Sequence, residues 1–256
     1  MILAVDIGNS TIVIGVMKND GKAVFNSRIK TDIFRTADQY AIDIKNILEL
    51  YGTDKAKIDG SIISSVVPPV LNAVKYAIKI VTGINPIVVG PGVKTGLNIL
   101  MDDPGQVGSD RIVTAVAALN IYKPPIIIID MGTATTIEVV DKNKNYIGGC
   151  ICPGVKTSLD ALSSKTAQLP SISLERPKRV LGKNTVECMR SGIIYGSVAM
   201  IDGLISYFEE ELGETSTRVA TGGFSAQIVP FCRNKIHISE NLLMEGLYLI
   251  YRRNMK

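Results

Sequence analysis

Two stretches of the sequence share one pattern of hydrophobic and polar positions. Residues 2–11 read ILAVDIGNST, and residues 126–135 read IIIIDMGTAT. Each begins with an apolar run typical of a buried β-strand and continues with Asp, an apolar residue, Gly and small polar residues. Because the two stretches lie about half a chain apart, they predict two related domains with a boundary near residues 115–125.

A second strand pattern follows each of these stretches. Residues 11–17 alternate and are rich in β-branched side chains, and the Asn-Asp-Gly sequence at 19–21 then predicts a turn. Residues 135–140 repeat the pattern before a polar turn at 141–145. The sequence therefore predicts one β-hairpin in each half, with a short Gly-containing loop between its strands.

Helical periodicity occurs in both halves as well. Apolar residues recur at helical spacing over 37–50 and 69–81 in the first half. In the second half the pattern covers 186–212 and predicts two helices, or one helix broken at Gly196 or Gly203. Duplicated hairpins mixed with helices indicate an α/β protein of two similar domains with a cleft between them.

The stretch between Pro170 and Gly182 has a different character. It is polar and contains prolines, so it predicts an exposed loop in the second half of the chain.

Composition and charge narrow the class of protein. The chain has 256 residues, of which 46% are hydrophobic, and its 28 basic and 24 acidic residues leave a net charge of +4. The basic residues are scattered and Trp is absent, unlike the clustered basic and aromatic pattern of nucleic-acid binders. Apolar runs fall short of the roughly 20 residues that span a membrane, and no signal-peptide pattern opens the chain. We expect a cytoplasmic protein that binds neither nucleic acid nor membranes.

The two Asp-x-Gly loops contain the groups that bind phosphate. Gly lets the backbone approach a phosphate, while amide N–H groups and Asn, Ser or Thr side chains donate to its oxygens. Asp6 could hold a Mg²⁺ that neutralises nucleotide charge. One such loop could merely form a turn, but two copies in equivalent places favour a phosphate site. A third segment, residues 218–225 with Thr-Gly-Gly at 221–223, could pack against adenine and ribose.

A candidate proton acceptor lies before the helical pattern at residues 112–121. Phosphorylation of an alcohol needs a group that accepts the hydroxyl proton, and the chain has one His, so a carboxylate is the natural base. Asp110 and Arg111 are adjacent there, after a Pro/Gly turn. From these residues alone, Asp110 as a helix N-cap and Arg111 as a surface residue is the simpler interpretation. A role as general base is the alternative.

In their order and spacing, these motifs resemble those of the type III pantothenate kinases, which belong to the actin, hexokinase and heat-shock-70 ATPase superfamily. The Walker A motif of P-loop kinases is absent. The segments that carry the resemblance span nearly the full length: DIGNST at 6–11, PGQVGSDR at 104–111, DMGTATT at 130–136, GGCICPG at 148–154, GKNTVE at 182–187, TGG at 221–223 and EGLYLIY at 245–251.

The resemblance implies a fold and an activity. The fold is α/β, with two similar ribonuclease-H-like, actin-like ATPase domains and a nucleotide cleft between them. Residues 1–118 would form the N-terminal domain, and residues 119–256 the C-terminal domain with dimerisation helices. The implied activity is the ATP-dependent phosphorylation of pantothenate to 4′-phosphopantothenate, the first step of coenzyme A biosynthesis.

The resemblance also implies roles for individual residues. It makes Asp110 the general base on the pantothenate hydroxyl and Asp130 a ligand of K⁺ or NH₄⁺, while Asp6 meets the Mg²⁺ that accompanies ATP. The implied pantothenate contacts are Gly108, Ser109, Asp110, Arg111 and Thr185. The implied ATP contacts are Asp6, Ile7, Gly8, Asn9, Ser10, Thr11, Ile12, Val13 and Thr133. The chain departs from many relatives at Met101, where they carry a Tyr whose hydroxyl would bond pantothenate.

Other functions stay open at this point. One is a non-catalytic, nucleotide-binding regulator, since some relatives were first described as accessory transcription factors. The other is a different small-molecule enzyme of the superfamily, such as a sugar kinase or polyphosphatase, although these usually carry larger substrate domains.

The resemblance implies a homodimer whose active sites are completed across the interface. The region 186–208 supports it independently, because its helical pattern is apolar or small on nearly all sides and must be buried. Burial within one monomer is the alternative.

Overall fold

The first of two β-sheets occupies the N-terminal part of the chain, in a computed structural model that describes residues 1–255. Its strands are β1 (Ile2–Ile7), β2 (Thr11–Met17), β3 (Ala23–Lys30), β4 (Gly60–Ser65) and β5 (Ile87–Val88). They are ordered β3-β2-β1-β4-β5. The three strands β1 to β3 are antiparallel neighbours, whereas β4 pairs with β1 and β5 in parallel.

The second sheet repeats this plan. Its strands are β6 (Asn98–Ile99), β7 (Ile126–Met131), β8 (Ala134–Val140), β9 (Asn145–Pro153), β10 (Thr217–Thr221) and β11 (His237–Ile238). In the order β11-β10-β7-β8-β9-β6, β7 to β9 are antiparallel neighbours, while β10 pairs with β7 and β11 in parallel. Apart from the added edge strand β6, this is the topology of the first sheet. The predicted duplication and both predicted hairpins are therefore confirmed.

Seven α-helices accompany the sheets. They are α1 (Ala37–Leu50), α2 (Pro68–Thr82), α3 (Ser109–Ile121), α4 (Val155–Lys165), α5 (Thr185–Leu212), α6 (Ser225–Ile228) and α7 (Leu242–Asn254) among residues 1–255. Local signals set several ends: a Thr36–Gln39 capping box starts α1, and Pro68 and Gly83, the latter with φ +76°, bound α2. The predicted span of α1 is confirmed, and α2 extends one residue further at each end.

The predicted break in the second-half helix is wrong. Helix α5 runs without interruption for 28 residues, through both Gly196 and Gly203. A Gly in a helix costs about 1 kcal/mol relative to Ala, which disfavours the helix but does not end it. The buried face of α5 offsets this cost by packing into the core of the second sheet, through Met189, Ile193, Ile194, Val198, Ile201 and Ile205. The predicted exposed loop before α5 is confirmed, since residues 166–184 form no helix or strand and are largely exposed.

The chain forms two compact units, and each is discontinuous in sequence. The first comprises residues 1–97, 102–120 and the segment from Asn241 onward, and the second comprises residues 98–101 and 121–240. This division differs from a single cut at residue 118, because the C-terminal helix α7 belongs to the first unit. The reason is apolar burial: Met244, Leu247 and Ile250 pack with β1 and β4 side chains.

Apolar side chains cover both faces of the first sheet. One face, with Leu3, Val5 and Ile7, packs against α1 and α2. The other face, with Ile2, Ala4 and Ile62, packs against α3 and α7. In a strand, alternate side chains point to opposite faces. Asp6 therefore lies on the α3 and α7 face.

Candidate active site

The first Asp-x-Gly loop places a buried carboxylate at the end of β1. Asp6 is 7% exposed, and its in-register neighbour on β4 is Ser64. Because paired residues of parallel strands project to the same face, the Ser64 hydroxyl reaches Asp6 and donates to its Oδ1 at 2.6 Å. A hydroxyl donating to a carboxylate at this distance is a strong, charge-assisted hydrogen bond.

The backbone of the first loop is held from two sides. Gly8 N–H donates to Thr11 O at 3.1 Å across the loop. Thr31, after β3, donates its hydroxyl to Gly8 O at 2.7 Å and its N–H to Ser10 O at 3.1 Å. Asn9 and Ser10 are exposed at the tip. The structure thus presents a braced loop whose tip carries two exposed polar side chains.

Not every residue of the predicted ATP segment can use its side chain. Ile7 and Ile12 are fully buried in the core beneath the sheet. Val13 is half-buried on the opposite face, paired with Asp6. Ile7 and Ile12 can therefore offer a nucleotide only backbone groups.

The second loop brings three sequence motifs together within the second unit. Gly132 N–H donates to Ala134 O at 2.9 Å, and Thr133 is exposed at the tip. Gly222 of the Thr-Gly-Gly motif has φ +88°, and a Cβ there would lie 2.5 Å from Asp130 Oδ1. A Cβ on Gly154 would likewise overlap the carbonyl groups of Gly132 and Thr133. Glycine is therefore required where these segments approach the loop.

Asp110 lies inside the first turn of α3, which begins at Ser109. Its Oδ1 accepts from Arg111 N–H at 2.8 Å, which is not the bond of an N-cap residue to the N–H two or three positions later. The N-cap interpretation is therefore wrong. Burial raises the pKa of Asp110, although the Arg111 N–H and the Arg111 charge lower it in part.

The Gly-Ser-Asp-Arg motif is clamped to the end of β4. Ser109 Oγ accepts from Ser65 N–H at 2.9 Å and donates to Ser65 O at 3.0 Å. A Cβ on Gly108 would lie 2.5 Å from Asp110 Oδ1, so a larger residue would displace the carboxylate. Since Ser64 and Ser65 are consecutive, one strand end contacts both Asp6 and the motif of Asp110.

Two further predicted positions lie in the second unit. Thr185 is exposed at the first residue of α5, whose N-terminus is capped by Asn184 through a 2.9 Å bond from Glu187 N–H. Met101 lies near Gly148, where a Cβ would be 3.5 Å from the Met101 sulfur. A thioether has no hydrogen-bond donor, so Met101 cannot make the hydroxyl contact that the resemblance implies for this position.

Sequence reasoning missed Ser64, Ser65 and Glu138. Glu138 is fully buried on β8, on the same face as Asp130. The two serines follow the apolar residues of β4, and polar residues at the end of a buried strand are a signal that could have drawn attention to them. Within residues 1–255, no cluster of three or more His, Cys, Asp or Glu side chains could hold a metal ion.

Solved structures with the same architecture cover nearly the whole chain. Component A of (R)-2-hydroxyglutaryl-CoA dehydratase from Acidaminococcus fermentans has a TM-score of 0.59 at 13% identity, covering 99% of this chain and 98% of that one. A ROK family glucokinase from Streptomyces griseus, in complex with glucose and AMPPNP, has a TM-score of 0.51 at 14% identity, covering 98% of each chain. These likenesses confirm the predicted ribonuclease-H-like, actin-like ATPase fold.

Sequence comparisons identify the family. The sequence model of the type III pantothenate kinases matches residues 2–207. A type III pantothenate kinase from Exiguobacterium sp. is 43% identical over 256 residues, which is all of both chains. Another, from Bacillus cytotoxicus, is 43% identical over 255 residues, covering 99% of this chain and 97% of that one. The chain therefore belongs to the type III pantothenate kinase family, and its activity is the ATP-dependent phosphorylation of pantothenate in coenzyme A biosynthesis.

Proposed function

We propose that this pantothenate kinase uses Asp110 as the general base of phosphoryl transfer. The observation that carries the proposal is a half-buried carboxylate, held beside Arg111 in a motif that is clamped to β4. Burial raises the pKa of Asp110, which makes its carboxylate a better proton acceptor than an exposed one. As the pantothenate hydroxyl oxygen bonds to the γ-phosphorus, its proton passes to Asp110 and the bond to the ADP oxygen breaks.

The substrate contacts follow from the same motif. Gly108, Asp110 and Arg111 contact pantothenate, with the Arg111 guanidinium supplying positive charge. Ser109 already uses its hydroxyl proton on Ser65 O, so it contributes to pantothenate binding through its backbone or a remaining oxygen lone pair. Thr185, exposed at the start of α5, completes the set of pantothenate contacts.

The ATP contacts are the first loop and Thr133. The first loop, Asp6 to Val13, offers its backbone N–H groups, and Asn9 and Ser10 offer exposed side chains. Thr133 is the exposed tip of the second loop.

A divalent metal accompanies ATP in kinases, and the donors of the chain suit Mg²⁺ at Asp6. Mg²⁺ prefers oxygen ligands and is usually held by one or two carboxylates together with waters and substrate phosphates. Asp6 supplies one such carboxylate at a strand end, and the absence of a larger acidic cluster among residues 1–255 fits this mode. Bound Mg²⁺ would neutralise charge on the transferring phosphoryl group.

Asp130 is the proposed ligand of a monovalent cation, K⁺ or NH₄⁺. It is half-buried at the end of β7, in contact range of the glycine-lined backbone around residues 132 and 222. A large, weakly hydrated cation needs little ligand charge, so one carboxylate with backbone carbonyl oxygens is a suitable set.

A homodimer through α5 is supported by the uncovered face of that helix. Gly192, Gly196 and Ala199 are exposed, and a Cβ built on Gly192, Gly196 or Gly203 would have no atom within 4 Å apart from its chain neighbours and the nearby backbone of α5 itself. Tyr207 on the same face is 69% exposed. Small residues allow a second helix backbone to approach closely, and an interface there would bury more than about 1,000 Å². Thr185 of one subunit then contacts pantothenate held by Asp110 of the other.

We propose a cytoplasmic enzyme without a membrane partner. By length and composition alone, α5 could cross a membrane, and about a third of its apolar stretch is buried. Asp202 within α5 accepts hydrogen bonds from Arg233 N–H at 2.8 Å and from Asn234 N–H at 3.1 Å. These bonds fix the helix in its own unit, and a second subunit accounts for its remaining apolar face.

An assay of ADP release, with and without pantothenate, tests the function and separates it from that of a nucleotide-binding regulator. We expect release that depends on pantothenate and falls when Na⁺ replaces K⁺ or NH₄⁺. Release that is independent of pantothenate would contradict the kinase function. Equal activity in Na⁺ would contradict only the proposed cation site at Asp130 and would leave the kinase function standing.

Mixed dimers test the shared active site. Asp110→Asn and Thr185→Val subunits are each impaired, but a mixed dimer keeps one site with both native residues. Random pairing of equal amounts should restore about a quarter of wild-type activity, because half of the dimers are mixed and each has one working site. No recovery after verified subunit exchange, or a fully active monomer, would contradict the arrangement.

A further inference from the structure

Ser64 is a fully buried serine whose hydroxyl faces the Asp6 carboxylate. It is 0% exposed on β4, in register with Asp6 on β1. Its Oγ donates to Asp6 Oδ1 at 2.6 Å. The two residues are 58 positions apart in the sequence, so only the pairing of β1 with β4 brings them together.

This hydrogen bond restricts how the carboxylate can rotate. A serine hydroxyl has a single proton, and here that proton is committed to one carboxylate oxygen. Charge-assisted bonds in a dry environment are stronger and more directional than those on the surface. The bond therefore restrains the position of Oδ1 and so limits rotation of the Asp6 carboxylate.

The two residues that follow Ser64 are also engaged with the site. Ser65 exchanges two hydrogen bonds with Ser109, and Val66 N–H donates to Ile7 O at 3.0 Å. The last two residues of β4 and the residue that follows them thus hold Asp6, the backbone next to it and the Asp110 motif. A rigid strand end is a more precise support than a loop.

From this geometry, we infer that Ser64 is a positioning residue for the metal-nucleotide site and acts through Asp6. The inference rests on the proposed role of Asp6 as the carboxylate that receives the Mg²⁺ of ATP. Because Ser64 is fully buried, it acts without contacting the substrates. It holds Asp6 in the orientation in which the carboxylate binds the metal. Mutation of a residue that orients a metal ligand typically lowers metal affinity or activity about 10–100-fold.

The chain offers a matched control in Ser61. This serine lies on the same strand, is 1% exposed, and donates its hydroxyl to the backbone oxygen of Leu3 at 2.9 Å. Ser61→Ala and Ser64→Ala each remove one buried hydroxyl from β4, but only the second removes a partner of a carboxylate. Ser64→Thr keeps the hydroxyl, and the second sheet has a Thr at the corresponding position, Thr221, in register with Asp130.

The test measures Mn²⁺ binding to the ADP-bound enzyme by electron paramagnetic resonance, together with the Mg²⁺ dependence of kcat/KM. For Ser64→Ala we expect Mn²⁺ affinity to fall about 10–100-fold, and the Mg²⁺ requirement to rise in parallel. Ser61→Ala should retain wild-type affinity, and Ser64→Thr should restore most of it. Melting temperatures of the two alanine variants separate a loss of folding from a loss of metal binding.

Asp6→Asn separates failure of this inference from failure of the proposed function. If Asp6→Asn binds Mn²⁺ and ADP as the wild type does, the metal role of Asp6 is wrong and the inference is overturned with it. If Asp6→Asn is impaired while Ser64→Ala matches Ser61→Ala, only the inference about Ser64 is overturned. Lost affinity in Ser64→Ala with recovery in Ser64→Thr supports it.

Discussion

The two Asp-x-Gly hairpins have motifs of equal length, yet they close differently. In the first, the last pair before the loop is Ile7 with Ile12, and in the second it is Met131 with Thr135. The second hairpin is therefore one residue tighter. A one-residue change of register moves side chains to the other face of a sheet.

The difference in register changes which side chains face the site. Thr11 is half-buried on the Asp6 face, whereas Thr135, its counterpart in the motif, is 1% exposed and lies on the core face. Asp6 is buried and paired with a serine hydroxyl, whereas Asp130 is half-buried beside glycines. The two copies of the motif therefore place one carboxylate in a buried position and the other in a half-buried one. This contrast matches the different ions proposed for them.

The largest expected effect concerns the proposed base, Asp110, which lies in the first unit. Asp110→Asn removes the proton acceptor while keeping the shape of the side chain, so kcat should fall about 10²–10⁴-fold. ADP affinity, measured by calorimetry, should stay near the wild-type value. Asp160→Asn, at an exposed acid on α4, is the matched control and should keep full activity. Near-native turnover of Asp110→Asn would reduce Asp110 to a structural residue.

The second prediction tests whether the two carboxylates serve different ions. Asp6→Asn should raise the Mg²⁺ concentration needed for half-maximal activity, because it removes the proposed metal carboxylate. Asp130→Asn should instead weaken activation by K⁺. Each shift should be about 10-fold or more, and titration of each ion at saturating levels of the other measures it. If both variants change the concentration requirement for the same ion, the proposed functional contrast between the two hairpins is wrong.

The third prediction concerns the two loop glycines. A Cβ on Gly8 would lie 3.0 Å from the carbonyl oxygen of Thr11, whereas a Cβ on Gly132 would lie 3.7 Å from that of Ala134. We expect Gly8→Ala to lower the free energy of unfolding by about 1–2 kcal/mol through overpacking. Gly132→Ala should change it by less than about 0.5 kcal/mol, since the contact is an ordinary one. Urea unfolding of both variants measures the difference, and equal values would contradict it.

The smallest expected effect is a shift in pH dependence that originates in the first unit. Burial raises the pKa of Asp110, and a protonated carboxyl cannot accept the proton of pantothenate. Activity is therefore retained above this pKa and lost as the pH falls through it. The acidic limb of kcat/KM should have its midpoint above about 3.9, the ordinary value for Asp. A midpoint at or below that value, measured at pH values where the enzyme stays folded, would contradict the role of Asp110 as the base.

The local pattern of the sequence was enough to predict both hairpins and the extent of α1. Strand alternation, turn residues and the helical periodicity of apolar residues act over a few positions, so a single chain segment contains the whole signal. Ordered motifs along the full length also predicted the family, which the comparisons confirm. The roles of Asp110, Asp130 and Thr185 stay predictions.

Tertiary structure decided the features that depend on distant partners. The hydrogen bond from Ser64 to Asp6 and the packing of α7 on the first sheet join residues that are remote in sequence, and no local pattern specifies them. Helix α5 passes through Gly196 and Gly203 unbroken because core burial offsets a weak local preference. The shared motif also closes in two hairpin registers, Ile7 with Ile12 and Met131 with Thr135, which its common pattern of apolar and polar residues does not distinguish.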